Sequence, residues 1–269
     1  MSALELAVVV ISYRTPAALR RCLASLPAGS AAPLEEVLVI DNASCDGSAA
    51  LVRQGFPSAR LLENHRNLGF ARAVNQALAA TRAPHLLVLN ADIEVLPGSI
   101  DRLAEHLERT PHAGLAAGAL IGAEGELQPS CRRFYTGRAI LLRRTPLGRL
   151  WPDHPALRQH LMLDWDHASP RVVDWVQGAC LLLRRRAALE VGGLDERFFL
   201  YFEDVDLCRR LALAGWEVWY VPAARFLHGY ARASVRPGLA AVHHLTSGVR
   251  YWLKWHGPGR LAAARRGGR

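Results

Sequence analysis

A few acidic side chains and one histidine stand where chemistry would use them. Asp92 closely follows the apolar run His85–Leu89. A carboxylate at the end of a buried strand either caps a turn or helix, or binds a divalent cation on a diphosphate. Glu203, Asp204 and Asp206 open a helical pattern behind the aromatic residues Phe198, Phe199, Tyr201 and Phe202. Acids at a helix N-terminus are stabilised by the dipole. Burial beside aromatic rings would instead raise a carboxylate's pKa and suit it to general-base work. Glu203 and Asp204 are both candidates for that base. Asp206 lies further round the helix, as a cap or as a partner to Arg209 or Arg210. His228 follows a strand pattern ending at Val221-Pro222. It is either structural or completes a metal site with one carboxylate. Two further polar tips end apolar runs: Ser12-Tyr13-Arg14 and Asp41-Asn42.

The elements that must position these residues alternate. Strand patterns cover Leu6–Ser12, Val37–Ile40, Ala59–Leu62, His85–Leu89 and Gly114–Ile121. Helical spacing covers Ala17–Leu26 behind Pro16, then Ser48–Gln54, Gly69–Thr81 and Ser99–Arg109. Alternation of this kind predicts an α/β fold with a doubly wound, mostly parallel, Rossmann-like sheet. Ligands of such sheets bind at the carboxyl ends of the strands, where the three polar tips lie. Residues 122–170 are rich in Pro, Arg, His and Trp and poor in periodicity, which predicts an excursion over the sheet. Val172–Trp175 and Ala179–Arg184 restore strand character, Arg186–Glu190 a short helical turn, Glu203–Ala214 a helix and Trp216–Val221 a strand.

Composition narrows the class. The 269 residues are 51% hydrophobic and 21% charged, with a net charge of +9. That excludes a disordered, collagen-like or coiled-coil chain. No apolar run approaches membrane-spanning length. Glu5 precedes a short apolar run with no basic segment before it, which argues against a signal peptide. Nearly all the cations are arginine, and the stretch from Arg225 onward holds eight arginines, one lysine and no acid. Such an excess suits an anionic partner: nucleic acid, anionic lipid or a phosphorylated substrate. The five cysteines (Cys22, Cys45, Cys131, Cys180 and Cys208) are scattered and odd in number. They predict reduced thiols rather than a disulfide frame or zinc site. Neither a G-x-x-x-x-G-K-[ST] loop nor a G-x-G-x-x-G after the first strand is present. A nucleotide bound here would need a cation on a carboxylate to neutralise its diphosphate.

Five blocks carry a resemblance. VVVISYRTPAALRRCLASL, VLVIDNASCDGS, NLGFARAVNQAL, LLVLNADIEVLPGSI and QGACLLLRRRAALEVGGLDERFFLYFEDVDLCRRLALAGWEVWYVPAARFLH stand in the order found in glycosyltransferase family 2. The chain resembles that family's inverting, nucleotide-sugar enzymes of GT-A fold, in particular the rhamnosyltransferases of bacterial cell-surface polysaccharide assembly. The likeness spans about residues 6–228, with a gap at the excursion. It implies a GT-A domain over residues 1–229, with a nucleotide-binding half (1–121) and an acceptor-binding half (122–229), and a basic C-terminal helix and tail over 230–269. It implies that Ser12, Tyr13 and Arg14 line the nucleotide pocket and that Asp41 bonds the pyrimidine. Asn67, Gly69 and Asn75 belong to the block that approaches the donor. Asn90-Ala91-Asp92 stands at the D-x-D position, its first acid replaced by Asn90. Asp92 would then carry Mg²⁺ or Mn²⁺ on the diphosphate and His228 would close the metal site. Asp204 matches the catalytic base, with Glu203 beside it. Many relatives carry arginine just before the asparagine matching Asn75, where this chain has Val74; Arg72 is the candidate substitute.

Ser130-Cys131-Arg132-Arg133-Phe134 also recurs in that subgroup. Arg132 and Arg133 either pair with a phosphate of donor or acceptor, or are solvated loop residues. Trp175, followed by Gln177-Gly178-Ala179, either lies under the acceptor or sugar or is a core residue. In His243–His256, Leu245, Val249, Trp252 and Leu253 share one helical side beside Arg250 and Lys254. That pattern suits either a membrane interface or packing on the domain. Arg260, Arg265, Arg266 and Arg269 would add attraction to anionic lipid. The expected partners are a dTDP-, UDP- or GDP-linked sugar, with L-rhamnose from dTDP-rhamnose first, and a saccharide or polyprenyl-diphosphate-linked acceptor. The expected place is the cytoplasmic face of the inner membrane, without nucleic acid. Nucleotidyl transfer, an inactive scaffold and a basic nucleic-acid-binding protein are the competing readings. The first lacks its glycine-rich N-terminal loop, and no recognition motif supports the last.

Overall fold

An unbroken apolar run must be covered on both faces, and Ala7–Ile11 is such a run. In the computed structural model, which describes residues 5–144, 147–229 and 238–257, it forms β1 (Leu6–Ser12), buried from Ala7 onward. Pro16 opens α1 (Pro16–Ser25), which leads back to β2 (Glu36–Asp41). The cycle repeats through α2 (Ser48–Gly55), β3 (Arg60–Glu63), α3 (Phe70–Ala80) and β4 (His85–Asn90). All four strands are parallel, β1 lying between β2 and β4. The chain winds one way to β3 and then returns to the other side of β1. This makes the β1–β4 boundary a topological switch point. Register sets Ser12 opposite Asp41 and Ile11 opposite Asn90, so the three polar tips share one edge.

The second half adds antiparallel pairing. β4 is followed directly by β5 (Ile93–Val95), then α4 (Ser99–Arg109) and β6 (Ala113–Ile121). The region read as irregular, 122–170, contains β7 (Leu127–Gln128), β8 (Cys131–Arg132), α5 (Gly137–Arg144), α6 (Leu147–Leu150) and α7 (Pro155–Leu161), and β9 (Arg171–Val172) follows it. Next come β10 (Trp175–Val176), β11 (Cys180–Arg184), α8 (Arg185–Glu190), α9 (Glu203–Leu213), β12 (Glu217–His228) and α10 (Leu239–His256). The sheet order is β3-β2-β1-β4-β11-β6-β12-β5. β6 therefore does not sit beside β4. The apolar β11 lies between them, antiparallel to both. A fully apolar strand covered on both faces carries no mark of its direction, so the sequence pattern could not order these three strands.

β12 runs past Val221, where the strand reading stopped. Its register against β6 shifts between Val221 and Arg225, and Pro222, which has no N–H to donate, sits in that irregularity. Beyond it, Phe226–His228 pairs with β5, setting His228 opposite Ile93. This curls the far edge of the sheet round to the β4–β5 turn, which holds Asp92.

α10 buries Ser247, Tyr251 and Trp255 at four-residue spacing. The stripe read from sequence points the other way: Leu245, Val249, Trp252 and Leu253 are all exposed. The tail arginines 260, 265, 266 and 269 lie outside the described residues. No described helix is long and apolar enough to cross a membrane. Among the cysteines, Cys22, Cys131, Cys180 and Cys208 are buried free thiols and Cys45 is exposed.

Candidate active site

The tips of β1 and β2 are laced together. The Ser12 carbonyl accepts the Asn42 N–H at 2.9 Å. Asp41 accepts the Ser44 N–H at 3.2 Å and the Ser44 hydroxyl, whose oxygen accepts the Arg14 N–H at 2.9 Å. Arg14 adopts φ 55°, and its guanidinium lies 5.2 Å from the centre of the exposed Tyr13 ring. Asn42 extends the lacing, donating to the Gly69 carbonyl at 3.4 Å and accepting from Asn64 at 2.8 Å. Asn67 Oδ1 accepts the Gly69 N–H at 2.9 Å and so shapes the turn into α3. Gly69 has φ +83°, and a Cβ there would fall 2.3 Å from the Phe199 carbonyl oxygen. Only glycine fits that approach. The Phe70 N–H then donates to the same oxygen at 2.9 Å, joining this loop to the segment that leads into α9.

The curled edge brings Asp92 and His228 together. Asp92 Oδ2 stands 3.7 Å from His228 Nε2, beyond hydrogen-bond distance. Gln128 sets the ring's tautomer. Its amide nitrogen donates to the His228 carbonyl at 3.3 Å, leaving Oε1 as an acceptor 2.8 Å from Nδ1. This arrangement favours the proton on Nδ1, with Nε2 the nitrogen on the Asp92 side. Burial holds His228 below its ordinary pKa, against the pull of Asp92. Burial likewise raises the Asp92 carboxyl, against the pull of His228. A carboxylate and a neutral imidazole facing one another, the imidazole fixed by an outer amide, suit a divalent cation. Among the described residues no group of three His, Cys, Asp or Glu side chains forms. A cation here would need phosphate oxygens or water to complete its shell.

The acid pair at the start of α9 divides by environment. Asp204 is half-buried; its Oδ2 accepts the Gly178 N–H at 3.0 Å and its Oδ1 the Val205 N–H at 2.8 Å. Burial raises its pKa, opposed by those backbone bonds and by the charge of Arg132. Glu203 is 5% exposed, and its Oε2 has no hydrogen-bond partner. Burial, then the Asp204 charge, lifts its pKa well above the ordinary carboxylate value. Of the two base candidates Asp204 is the one a substrate hydroxyl can reach, since Glu203 is buried and Asp204 only half-buried. Asp206 is fully buried and bonds Arg210 at 2.8 Å, Lys254 at 2.6 Å and Trp255 Nε1 at 2.8 Å. Just before Glu203, Tyr201 and Phe202 both adopt positive φ, 68° and 69°. Strain of that kind persists only where neighbours hold it. α10 does so: Ser247 Oγ donates to the Leu200 carbonyl at 2.9 Å, and the Tyr251 ring packs 5.5 Å from that of Phe202.

Gly178, Arg132 and Trp175 gather on the Asp204 side. The Arg132 guanidinium lies 5.2 Å from the Trp175 ring centre. Trp175 itself is buried, stacked on Tyr135 and donating from Nε1 to the Arg133 carbonyl at 3.0 Å. It is placed as a core residue more than as a sugar platform. Arg133 turns away to Asp174 at 2.9 Å. Asn75 is engaged at both ends of its amide by Leu194, at 2.9 and 2.8 Å, and Arg72 pairs with Glu196 at 3.1 Å. Gln128, Asn42 and Ser44 do more in this site than their sequence positions suggest. Gln128 lies in the aperiodic stretch, where no local signal marks it.

Comparison with known proteins gives a consistent result. Residues 7–151 match the profile of Glycosyl transferase family 2, and residues 149–257 that of Glycosyl transferase family group 2. The N-acetylglucosaminyl-diphospho-decaprenol L-rhamnosyltransferase of Mycobacterium tuberculosis is 38% identical over 258 residues, covering 89% of this chain and 81% of that one. Rhamnosyltransferase WbbL of Escherichia coli is 42% identical over 85 residues, 31% of this chain and 32% of that one. The crystal structure of GalNAc-T7 with UDP, GalNAc and Mn²⁺ superposes with a TM-score of 0.67 at 15% identity, covering 94% of this chain and 48% of that one. Staphylococcus aureus TarS 1–349 gives 0.58 at 13% identity, with 94% and 72% coverage. At those identities the solved structures speak to the fold alone.

Proposed function

The chain belongs to glycosyltransferase family 2, and from that premise we propose that it moves L-rhamnose from a nucleotide-diphosphate donor, dTDP-rhamnose first, to an N-acetylglucosaminyl-diphospho-polyprenol. As a glycosyltransferase of GT-A fold it is set apart from the nucleotidyl-transfer and non-enzymatic readings. The sugar and the acceptor follow those named for the 38%-identical relative, and the dTDP carrier follows the family resemblance. The observation that carries the mechanism is the division of one strand edge into two stations. Asp92 and His228 face one another at one, and at the other the half-buried Asp204 is held by the Gly178 N–H, next to Ala179, whose carbonyl accepts the Asn90 N–H.

Asp41, Ser12 and the Tyr13-Arg14 turn receive the nucleoside. Asp92 and His228 would hold Mg²⁺ or Mn²⁺, which when bound supplies Lewis-acid stabilisation of the leaving diphosphate. Asp204 takes the proton from the attacking acceptor hydroxyl, a contribution of about 10²–10⁴ in rate. Attack opposite the leaving group inverts the anomeric carbon. A double displacement would need a second carboxylate open to the sugar, and Glu203, only 5% exposed, is not open to it. The exposed stripe Leu245, Val249, Trp252 and Leu253 supports a peripheral position on a membrane surface that offers the lipid-linked acceptor.

A melting-temperature screen of dTDP, UDP, GDP, CDP and ADP with Mn²⁺, Mg²⁺ or EDTA tests the donor site. Binding to the folded state raises the melting temperature by mass action. A metal-dependent rise selective for dTDP is the expected result. A flat response to all five would overturn the donor assignment.

A further inference from the structure

An open cleft of about 860 Å³, with Asn67 in its lining, lies between Arg66–Arg72, the Glu196–Phe199 loop and the last turns of α10. Its wall carries Arg66, Arg72, Arg197, Arg250 and Lys254 against one acid, Glu196. Three of the cations are anchored by carboxylates. Arg72 bonds Glu196 at 3.1 Å, Arg197 bonds Asp195 at 2.6 Å, and Lys254 bridges Asp195 at 2.7 Å and Asp206 at 2.6 Å. Among the described residues, Arg66 and Arg250 face no carboxylate; Arg250 donates to the Arg197 carbonyl. Two uncompensated guanidinium groups in a held frame are suited to a phosphorylated ligand.

The cleft also has an apolar exit. Leu253, 61% exposed, belongs to its lining and ends the Leu245–Val249–Leu253 row along α10. That row extends about 12 Å at the α-helical rise. On its inner side the cleft is one layer from the base. Phe199 bonds Phe70, and the Phe70 ring lies against Gly178, whose N–H holds Asp204. A cationic cleft that opens onto an apolar row and backs onto the base fits a ligand with a phosphorylated head and a hydrocarbon tail.

Resting on the glycosyltransferase reading above, we infer that this cleft receives the diphosphate of the polyprenyl-linked acceptor, on Arg66 and Arg250, with the prenyl chain leaving along Leu245, Val249 and Leu253. Donor and acceptor diphosphates then have separate anchors. The donor's is the Asp92–His228 station and the acceptor's is this arginine wall.

The test uses the full chain and phosphatidylcholine vesicles carrying a few mole per cent of either decaprenyl diphosphate or decaprenol. The wild type should sediment with the diphosphate vesicles and not with the neutral ones. Arg66→Ala/Arg250→Ala should weaken that binding about 10- to 100-fold while keeping the metal-dependent nucleotide shift. Leu245→Ser/Leu253→Ser should lose the vesicles but still bind inorganic pyrophosphate. Vesicle binding that ignores the two arginines, in a protein that still shifts with nucleotide, overturns the cleft assignment alone. So does inorganic pyrophosphate held as tightly as the lipid, which would make this a free-phosphate site. A wild type with no nucleotide shift overturns the donor reading instead, and the cleft assignment still stands or falls on the vesicle arm.

Discussion

Replacing Asp206 with alanine should unseat α10. Asp206 is fully buried and accepts from three donors: Arg210 and Lys254, both charged, and the Trp255 indole. Removing one partner of a buried ion pair costs about 3–5 kcal/mol, because the charge left behind is no longer compensated. Here both cations keep other partners. Arg210 still donates to the Val191 and Gly193 carbonyls, each at 2.6 Å, and Lys254 still reaches Asp195 at 2.7 Å. The lower end of the range therefore applies, about 3 kcal/mol, which lowers the melting temperature of a chain this size by roughly 6–10 °C. The change should also spread to catalysis. α10 holds the Leu200 carbonyl and the Phe202 ring next to Asp204, so turnover should fall further than the unfolded fraction explains. Calorimetry with limited proteolysis of residues 239–257 measures the first effect, and sugar transfer assayed well below the variant's melting temperature measures the second. Asp153→Ala, at an aspartate whose side chain is 88% exposed, serves as control. A drop of less than about 2 °C beyond that control would refute this account of how α10 is held.

Two further outcomes follow from the site. Gln128→Leu removes the acceptor that fixes the His228 tautomer, and should weaken Mn²⁺ binding, read from the metal dependence of the nucleotide shift, about 10- to 100-fold at unchanged melting temperature; equal metal affinity would remove Gln128 from the site. Burial raises the Asp204 pKa, so folding favours its protonated form, and its ionisation costs stability as pH rises from the unfolded pKa through the folded one. Asp204→Asn should thus abolish transfer yet melt above the wild type at neutral pH, the gap closing in acid; a lower melting temperature for the variant at every pH would contradict the raised pKa.

The first half of the sheet, through β4, was legible because its signals are local. Pro16 opens a helix, and Asp41 and Asp92 stand at or just past the ends of apolar strands. The rest depends on contacts between distant segments. CLLLR reads alike in either strand direction, so its antiparallel place between β4 and β6 was hidden. Pro222 looked like the end of a strand that the bulge in fact carries on to His228. On α10 hydropathy could not tell the packed face from the open one. Leucine and valine mark the exposed side, and the buried side uses residues with a polar handle. Tyr251 accepts from Arg209 at 3.1 Å and Trp255 donates to Asp206, because the surface beneath them is charged. Gln128 acts on a histidine 100 residues away, a distance over which no sequence period reaches.

The clasp on Lys254 has a practical corollary. It is the only lysine among the 269 residues. An amine-directed acylating reagent thus has a single side-chain target, and that target is shielded by two carboxylates for as long as α10 stays docked. Its labelling rate becomes a direct meter of helix docking, built into the natural chain and needing no engineered reporter. Followed by mass spectrometry during turnover, it would tell whether the helix holds still or lifts as each lipid arrives and leaves.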